Sequence, residues 1–179
     1  NTATAGVSPN NVTPGFYYWD GTKWNRLLNT IAGGTDWQLT GNSGTIDGTH
    51  FLGTTDASPL NFRVNNQRAG RIGSTFTGTY FGYQAGNAIT SGTGNTAMGH
   101  QALLLTQTGS NNTAYGEKTL YSNTTGQDNV AIGTSALRLN VTGSYNVAVG
   151  RSALFSNTAP ENTGIGHVSL YYNTTGSGN

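Results

Sequence analysis

Along the second half of the chain, apolar and polar positions keep a register that is neither the 3.6-residue period of a helix nor an unbroken two-residue alternation. The phrase Asn-x-Ala-x-Gly opens at Asn95, Asn112, Asn129 and Asn146, each 17 residues after the last. A fifth copy opens at Asn162 after 16 residues, and Asn179 stands 17 further on. Inside each phrase the side chains of a short strand alternate, with Ala97, Ala114, Ala131 and Ala148 on one face and Met98, Tyr115, Ile132, Val149 and Ile165 on the other. Four residues after the phrase-closing glycine comes a leucine, at 103, 120, 137, 154 and 170, preceded by Ala102, Thr119, Ala136, Ala153 and Ser169. Gly92, Gly109, Gly126, Gly143 and Gly176 form a second glycine column, in which Pro160 takes the place belonging to the fifth unit. Each unit therefore reads as two short strands separated by turns at Gly-x-x and Asn-Thr-Thr-Gly, with Gly and Asn supplying positive φ. Gly82 lies 17 residues before Gly99, so Tyr80-Phe81-Gly82 opens the array in degenerate form and six coils are expected.

Seventeen residues are too few for a helix pair or a propeller blade and enough for one turn of a small two-sided β-solenoid. Stacked at about 4.8 Å, six turns make a rod on the order of 30 Å long in which like residues form ladders. Asn95, Asn112, Asn129, Asn146 and Asn162 are the expected structural ladder, each amide within reach of the next. Neither face of the Asn-x-Ala-x-Gly strand is polar. One face can fill the narrow interior, and the other needs an apolar surface that so thin a roll lacks, which predicts side-by-side association with another copy.

The first eighty residues do not repeat. Phe16-Tyr17-Tyr18-Trp19-Asp20-Gly21-Thr22-Lys23-Trp24 predicts a hairpin of aromatic strands around a type I′ Asp-Gly turn, as the core of a cap rather than a sugar platform. The chain is accordingly divided into an aromatic hairpin or cap over 1–34, with a linker over 25–35, a β connector over 35–78, and repeats over 79–179. The repeats read as part of a longer array. Arg63, Arg68 and Arg71 hold three of the eight basic residues; bonding to carbonyls and to Asp56 across subunits is the expected role, with anion binding the alternative.

Composition sharpens this picture. Only 8% of residues are charged and 34% hydrophobic, against about 25% and 45–50% in an ordinary domain. Gly (27), Thr (29) and Asn (21) supply the turns and strands of a repetitive coil, and 18 aromatic residues argue against disorder. A net charge of +1 gives no electrostatic footprint for nucleic acid or an anionic membrane, and no apolar run reaches the roughly 18 residues of a membrane span. With no cysteine there is neither a disulfide framework nor thiolate chemistry. The seven acids, Asp20, Asp36, Asp47, Asp56, Glu117, Asp128 and Glu161, are scattered, and His50, His100 and His167 lack metal-ligand spacing. No nucleophile elbow, P-loop or dinucleotide fingerprint occurs. The expectation is a non-enzymatic chain without cofactor or metal. Tyr83, His100, Glu117, Thr134, Arg151 and His167 share the column after the glycine; such tolerance marks a solvent face, and Tyr83, His100, Glu117, Arg151 and His167 are the candidate ligand-facing residues.

The repeats resemble the head repeats of YadA-like trimeric autotransporter adhesins, whose pattern, roughly Asn-(Ser/Thr)-(Val/Ala)-Ala-(Ile/Leu)-Gly-x-x-(Ala/Ser), is matched by Asn129 to Ala136 and Asn146 to Ala153. The resemblance covers 79–179, with a period of 17 in place of the 14–16 usual in those heads. It implies a left-handed parallel β-roll, three chains side by side, and a bacterial outer-surface or fibre location, with a host or cell-surface protein or glycan as partner. Residues 37–73 resemble connector segments of bacterial surface and phage fibre proteins, in which short strands of three chains wrap round one another. The functional expectation is a trimeric adhesin or fibre segment. The alternatives are a spacer in a phage or injection-machine fibre, and an ice-binding solenoid, for which Thr106-x-Thr108 has no counterpart in most turns.

Overall fold

The computed structural model describes residues 17–19, 22, 24–26, 52–73 and 78–179, with the backbone alone described for the two segments 17–19 and 24–26. The linker beyond Arg26, the first half of the connector, His50, Asp20, Asp36 and Asp47 lie outside the described residues. The chain divides into two units, 1–52 and 53–179.

In the first unit, β1 (Tyr17–Trp19) and β2 (Trp24–Arg26) pair antiparallel, with Tyr17 opposite Arg26 and Trp19 opposite Trp24. The expected hairpin is present, but this register leaves four residues between the strands rather than the two of a type I′ turn. It also places Asn25 and Arg26 in a strand instead of the linker.

The second unit is all-β, an eight-stranded sheet in the order β10-β9-β8-β7-β6-β5-β4-β3 that forms a β-solenoid. Strands β3 (Leu60–Val64) and β4 (Gln67–Gly73) make an antiparallel hairpin in which Val64 pairs with Gln67. The two intervening asparagines, Asn65 and Asn66, have φ of 46° and 57°, as a type I′ turn requires of both central residues. Strand β4 pairs antiparallel with β5 (Gly78–Phe81), so these connector strands find partners within their own chain. From β5 the ladder is parallel: β6 (Thr96–Met98), β7 (Thr113–Tyr115), β8 (Val130–Ile132), β9 (Val147–Val149) and β10 (Thr163–Ile165), each paired with the copy one coil earlier. Six rungs enclose about five full turns.

Each coil holds one strand, four residues long in the first and three in the others, where two strands were expected. The segment carrying the leucine is kept out of β geometry by positive φ at alternate residues: Gln101 and Leu103, Lys118 and Leu120, Ser135 and Leu137, Ser152 and Leu154. Its peptides nonetheless stand along the rod axis. Leu103 N donates to Thr119 O, Leu120 N to Ala136 O and Leu137 N to Ala153 O, each at 3.0 Å, so one column of peptide dipoles runs unbroken through the coils. These left-handed dihedrals cost strain in a leucine, offset here by burial: Leu103, Leu120, Leu137 and Leu154 are wholly inaccessible and meet Ala97, Ala114, Ala131 and Ala148 across the interior. The interior is thin enough that a methyl at Gly164 would come within 2.9 Å of the Leu154 side chain.

The closing glycines set how closely the coils approach. They stack with φ of 117–141°, and a Cβ on Gly116 would lie 2.8 Å from the backbone of Gly133, so both dihedral and space demand glycine there. The first coil is sealed differently. Gly78 and Gly86 occupy the asparagine and leucine columns, and Tyr80, in the alanine column, fills the space both leave; a Cβ on either glycine would collide with its ring or hydroxyl. Tyr80 is 1% exposed and serves as the plug of this end of the interior.

Candidate interaction surface

The interior asparagines hold the outer columns in register. Asn112 Oδ1 accepts from the backbone N of Asn129 (3.1 Å) and from its Nδ2 (3.0 Å), while Asn112 Nδ2 donates to Asn95 Oδ1 (3.1 Å) and Gly126 O (2.9 Å). The amide's full bonding capacity is used, and the pattern repeats at Asn129. Asn95, Asn146 and Asn162 complete the ladder, all buried. A second ladder was not foreseen: Asn123, Asn140 and Asn157 are also buried, and Asn173 continues it. Asn123 Nδ2 and Asn140 Nδ2 donate to Gly126 O (3.0 Å) and Gly143 O (2.8 Å), so each of these glycine carbonyls is held by two asparagines from opposite sides. The sequence signal was Asn-x-x-Gly at the same period, interrupted at Thr106 and Ile89 in the earlier coils. In the fifth coil Ala159, not Pro160, takes the glycine's place: its carbonyl accepts from Asn157 Nδ2 at 2.6 Å and Asn162 Nδ2 at 3.3 Å. The missing residue is the one corresponding to Thr142.

Outside the strands runs a stripe of Phe81, Met98, Tyr115, Ile132, Val149 and Ile165, all but the half-buried Val149 exposed, from 38% at Phe81 to 69% at Ile165. Flanking it across the glycines, the column Tyr83, His100, Glu117, Thr134, Arg151 and His167 is exposed throughout. The fold brings three of the candidates into contact. Tyr83 and His100 stack with ring centroids 5.8 Å apart and planes 9° from parallel, and His100 Nδ1 lies 4.0 Å from Glu117 Oε1, which also meets Lys118 Nζ at 3.3 Å. Arg151 and His167 stand further along the column, separated from these by Thr134. Ion pairs this exposed contribute little to stability, so the column is a surface rather than a brace.

Across the interior lies a column that the sequence did not disclose: Leu104, Tyr121, Arg138, Phe155 and Tyr171. The Arg138 guanidinium sits 5.7 Å from the Tyr121 centroid and 5.8 Å from that of Phe155, and Phe155 stacks on Tyr171 at 4.7 Å with planes 2° apart. Thr106 is buried, so Thr106-x-Thr108 is not an outward-facing pair.

On the hairpin, Arg68 Nη1 donates to Gly86 O at 2.9 Å and Arg63 Nη1 to Asn66 Oδ1 at 2.9 Å. Asp56 accepts instead from the backbone N of Ser58 at 2.9 Å, a bond that lowers its carboxyl pKa. Among the described residues no three His, Asp or Glu side chains gather as a metal site, and no helix is long and apolar enough to cross a membrane. Comparison with protein-family models, with curated proteins and with solved structures finds no match.

Proposed function

We propose that this chain is a non-enzymatic segment of a trimeric surface adhesin or fibre, its repeats packed side by side with those of two other copies and its variable columns presented for attachment. The observation that carries this reading is the apolar stripe from Phe81 to Ile165. A folded chain this poor in hydrophobic residues has little reason to leave six of them in a straight row on its outer face unless that row is covered. Closed assemblies of identical chains are the commonest way to cover such a row, and the number three follows the resemblance to YadA-like heads. The extracellular placement on a bacterial or virion surface, and a protein or glycan ligand at Tyr83, His100, Glu117, Arg151 and His167, belong to the same reading.

Light scattering on the chain tests the association. A trimer is expected, and the pair Tyr115→Asp and Ile132→Asp, both at exposed positions, should dissociate it while leaving the β circular-dichroism signal of the coils. A well-folded wild-type monomer at micromolar concentration would overturn the proposal. Binding to glycan and matrix-protein arrays tests attachment; silence on both would leave a fibre spacer as the function.

A further inference from the structure

Where the β3–β4 hairpin meets the first coil there is a cleft of about 170 Å³ lined by Asn61, Arg63, Asn66, Gln67, Arg68 and Asn87. Every lining side chain is a guanidinium or a carboxamide, and no carboxylate is among them. In a chain with only eight basic residues, two of them facing one cleft without an acid is a concentration of positive charge that folding does not require. Arg63 and Arg68 each commit one Nη1 within the chain, to Asn66 Oδ1 and Gly86 O, and a guanidinium has five N–H donors. The Gln67 and Asn87 amides make no bond to the rest of the described chain. Arg71 adds its charge from β4: burial first, and then the Arg71 and Arg63 charges, hold the Arg68 guanidinium below its ordinary pKa. The cleft is thus faced by two like charges on one hairpin, whose mutual repulsion a bound anion would relieve.

We propose that this cleft binds an acidic saccharide unit, its sulfate or carboxylate on Arg63 and Arg68 and its hydroxyls on the carboxamides of Asn61, Asn66, Gln67 and Asn87. The class follows from the lining. Guanidinium forks match planar or tetrahedral oxyanions, and carboxamides, which both donate and accept, match hydroxyls rather than apolar surface. The volume is below the roughly 300 Å³ at which sites for drug-sized ligands begin, which fits a single sugar ring. The site lies within one chain, and it holds whether or not the stripe on the coils is covered by other copies.

The test titrates the whole chain, isotopically labelled, with glucuronic acid, N-acetylglucosamine 6-sulfate, uncharged N-acetylglucosamine and inorganic sulfate, following the side-chain amide signals by NMR. The acidic sugars should shift the amides of Asn66, Gln67 and Asn87, and their affinity should weaken as salt is raised. Arg63→Gln should weaken it about tenfold, the loss of one charge-assisted hydrogen bond. Arg68→Gln also severs the tie to Gly86, so Arg63, whose bond is only to Asn66, is the deciding variant. Equal binding of the uncharged sugar, no change in Arg63→Gln, or no shift at these amides would each overturn the proposal. Inorganic sulfate binding as tightly as the sugar sulfate would overturn the saccharide assignment.

Discussion

Replacing Asn129 by Ala removes four hydrogen bonds inside the rod: Nδ2 to Asn112 Oδ1 and to Gly143 O, and Oδ1 from the backbone N and the Nδ2 of Asn146, all between 2.9 and 3.0 Å. What is left behind decides the cost. Asn112 Oδ1 keeps the backbone N of residue 129, and Gly143 O keeps Asn140 Nδ2. The backbone N–H of Asn146 and one proton of its amide are orphaned in a residue with no solvent access. At about 1–3 kcal/mol for each buried unsatisfied donor, together with a small cavity, the loss comes to about 3–5 kcal/mol. Asn123→Ala is the control. Its Nδ2 donates to Gly126 O, which retains Asn112 Nδ2, and its Oδ1 is buried with no partner, so the substitution orphans nothing and should cost about 1 kcal/mol. Urea unfolding followed by circular dichroism at one fixed protein concentration separates the two. If the variants fall within 1 kcal/mol of each other, the view that the first ladder is the main polar brace of the rod is wrong.

Three further outcomes follow from the same geometry. Gly116→Ala should cost at least about 2 kcal/mol more than Gly166→Ala, because both have positive φ but only Gly116 has a neighbouring backbone where the Cβ would go; unfolding midpoints measure the difference. Burial raises the Tyr80 phenol pKa above 10.0. The folded state therefore resists ionisation more than the unfolded one, and this part of the stability is complete below pH 10.0 and is lost as pH rises through the higher folded value. Thermal unfolding from neutral to alkaline pH should fall less steeply in Tyr80→Phe than in the wild type, and parallel curves would reject this. Glu117→Gln, which removes the exposed ion pair with Lys118 and alters the contact with His100, should change unfolding free energy by less than about 0.5 kcal/mol.

The coil was legible in the sequence because its demands are discrete. Only glycine fits the column of Gly99, Gly116, Gly133 and Gly150, and only a carboxamide meets four partners at Asn112 and Asn129, so these residues recur and announce the period. The leucine column was equally plain, yet its backbone was not: a Leu-rich segment reads as a strand, and the positive φ of Leu120 and Leu137 arises from tertiary packing that residue type does not encode. Asn123 and Asn140 escaped notice because they look like turn residues, and buried asparagines bonding a glycine three positions on look the same in sequence as exposed ones. The surface was the least legible part. Leu104, Tyr121, Arg138 and Phe155 share no chemistry until the coils are stacked, and the cleft at Arg63 and Arg68 joins a hairpin to Asn87 of the first coil.

The coil lacking a counterpart of Thr142 shows how the rod tolerates changes in length. Asn157 and Asn162 still converge on one carbonyl although the segment between them is a residue shorter, so the two ladders fix the ends of this corner and leave its contour free. Loops can therefore be lengthened next to Thr125 or Thr142, where both ladders are present, without disturbing the stacking of neighbouring coils. Those two corners, one coil apart on one edge of the rod, are natural grafting points at which foreign peptides could be displayed side by side at the spacing of a β-sheet.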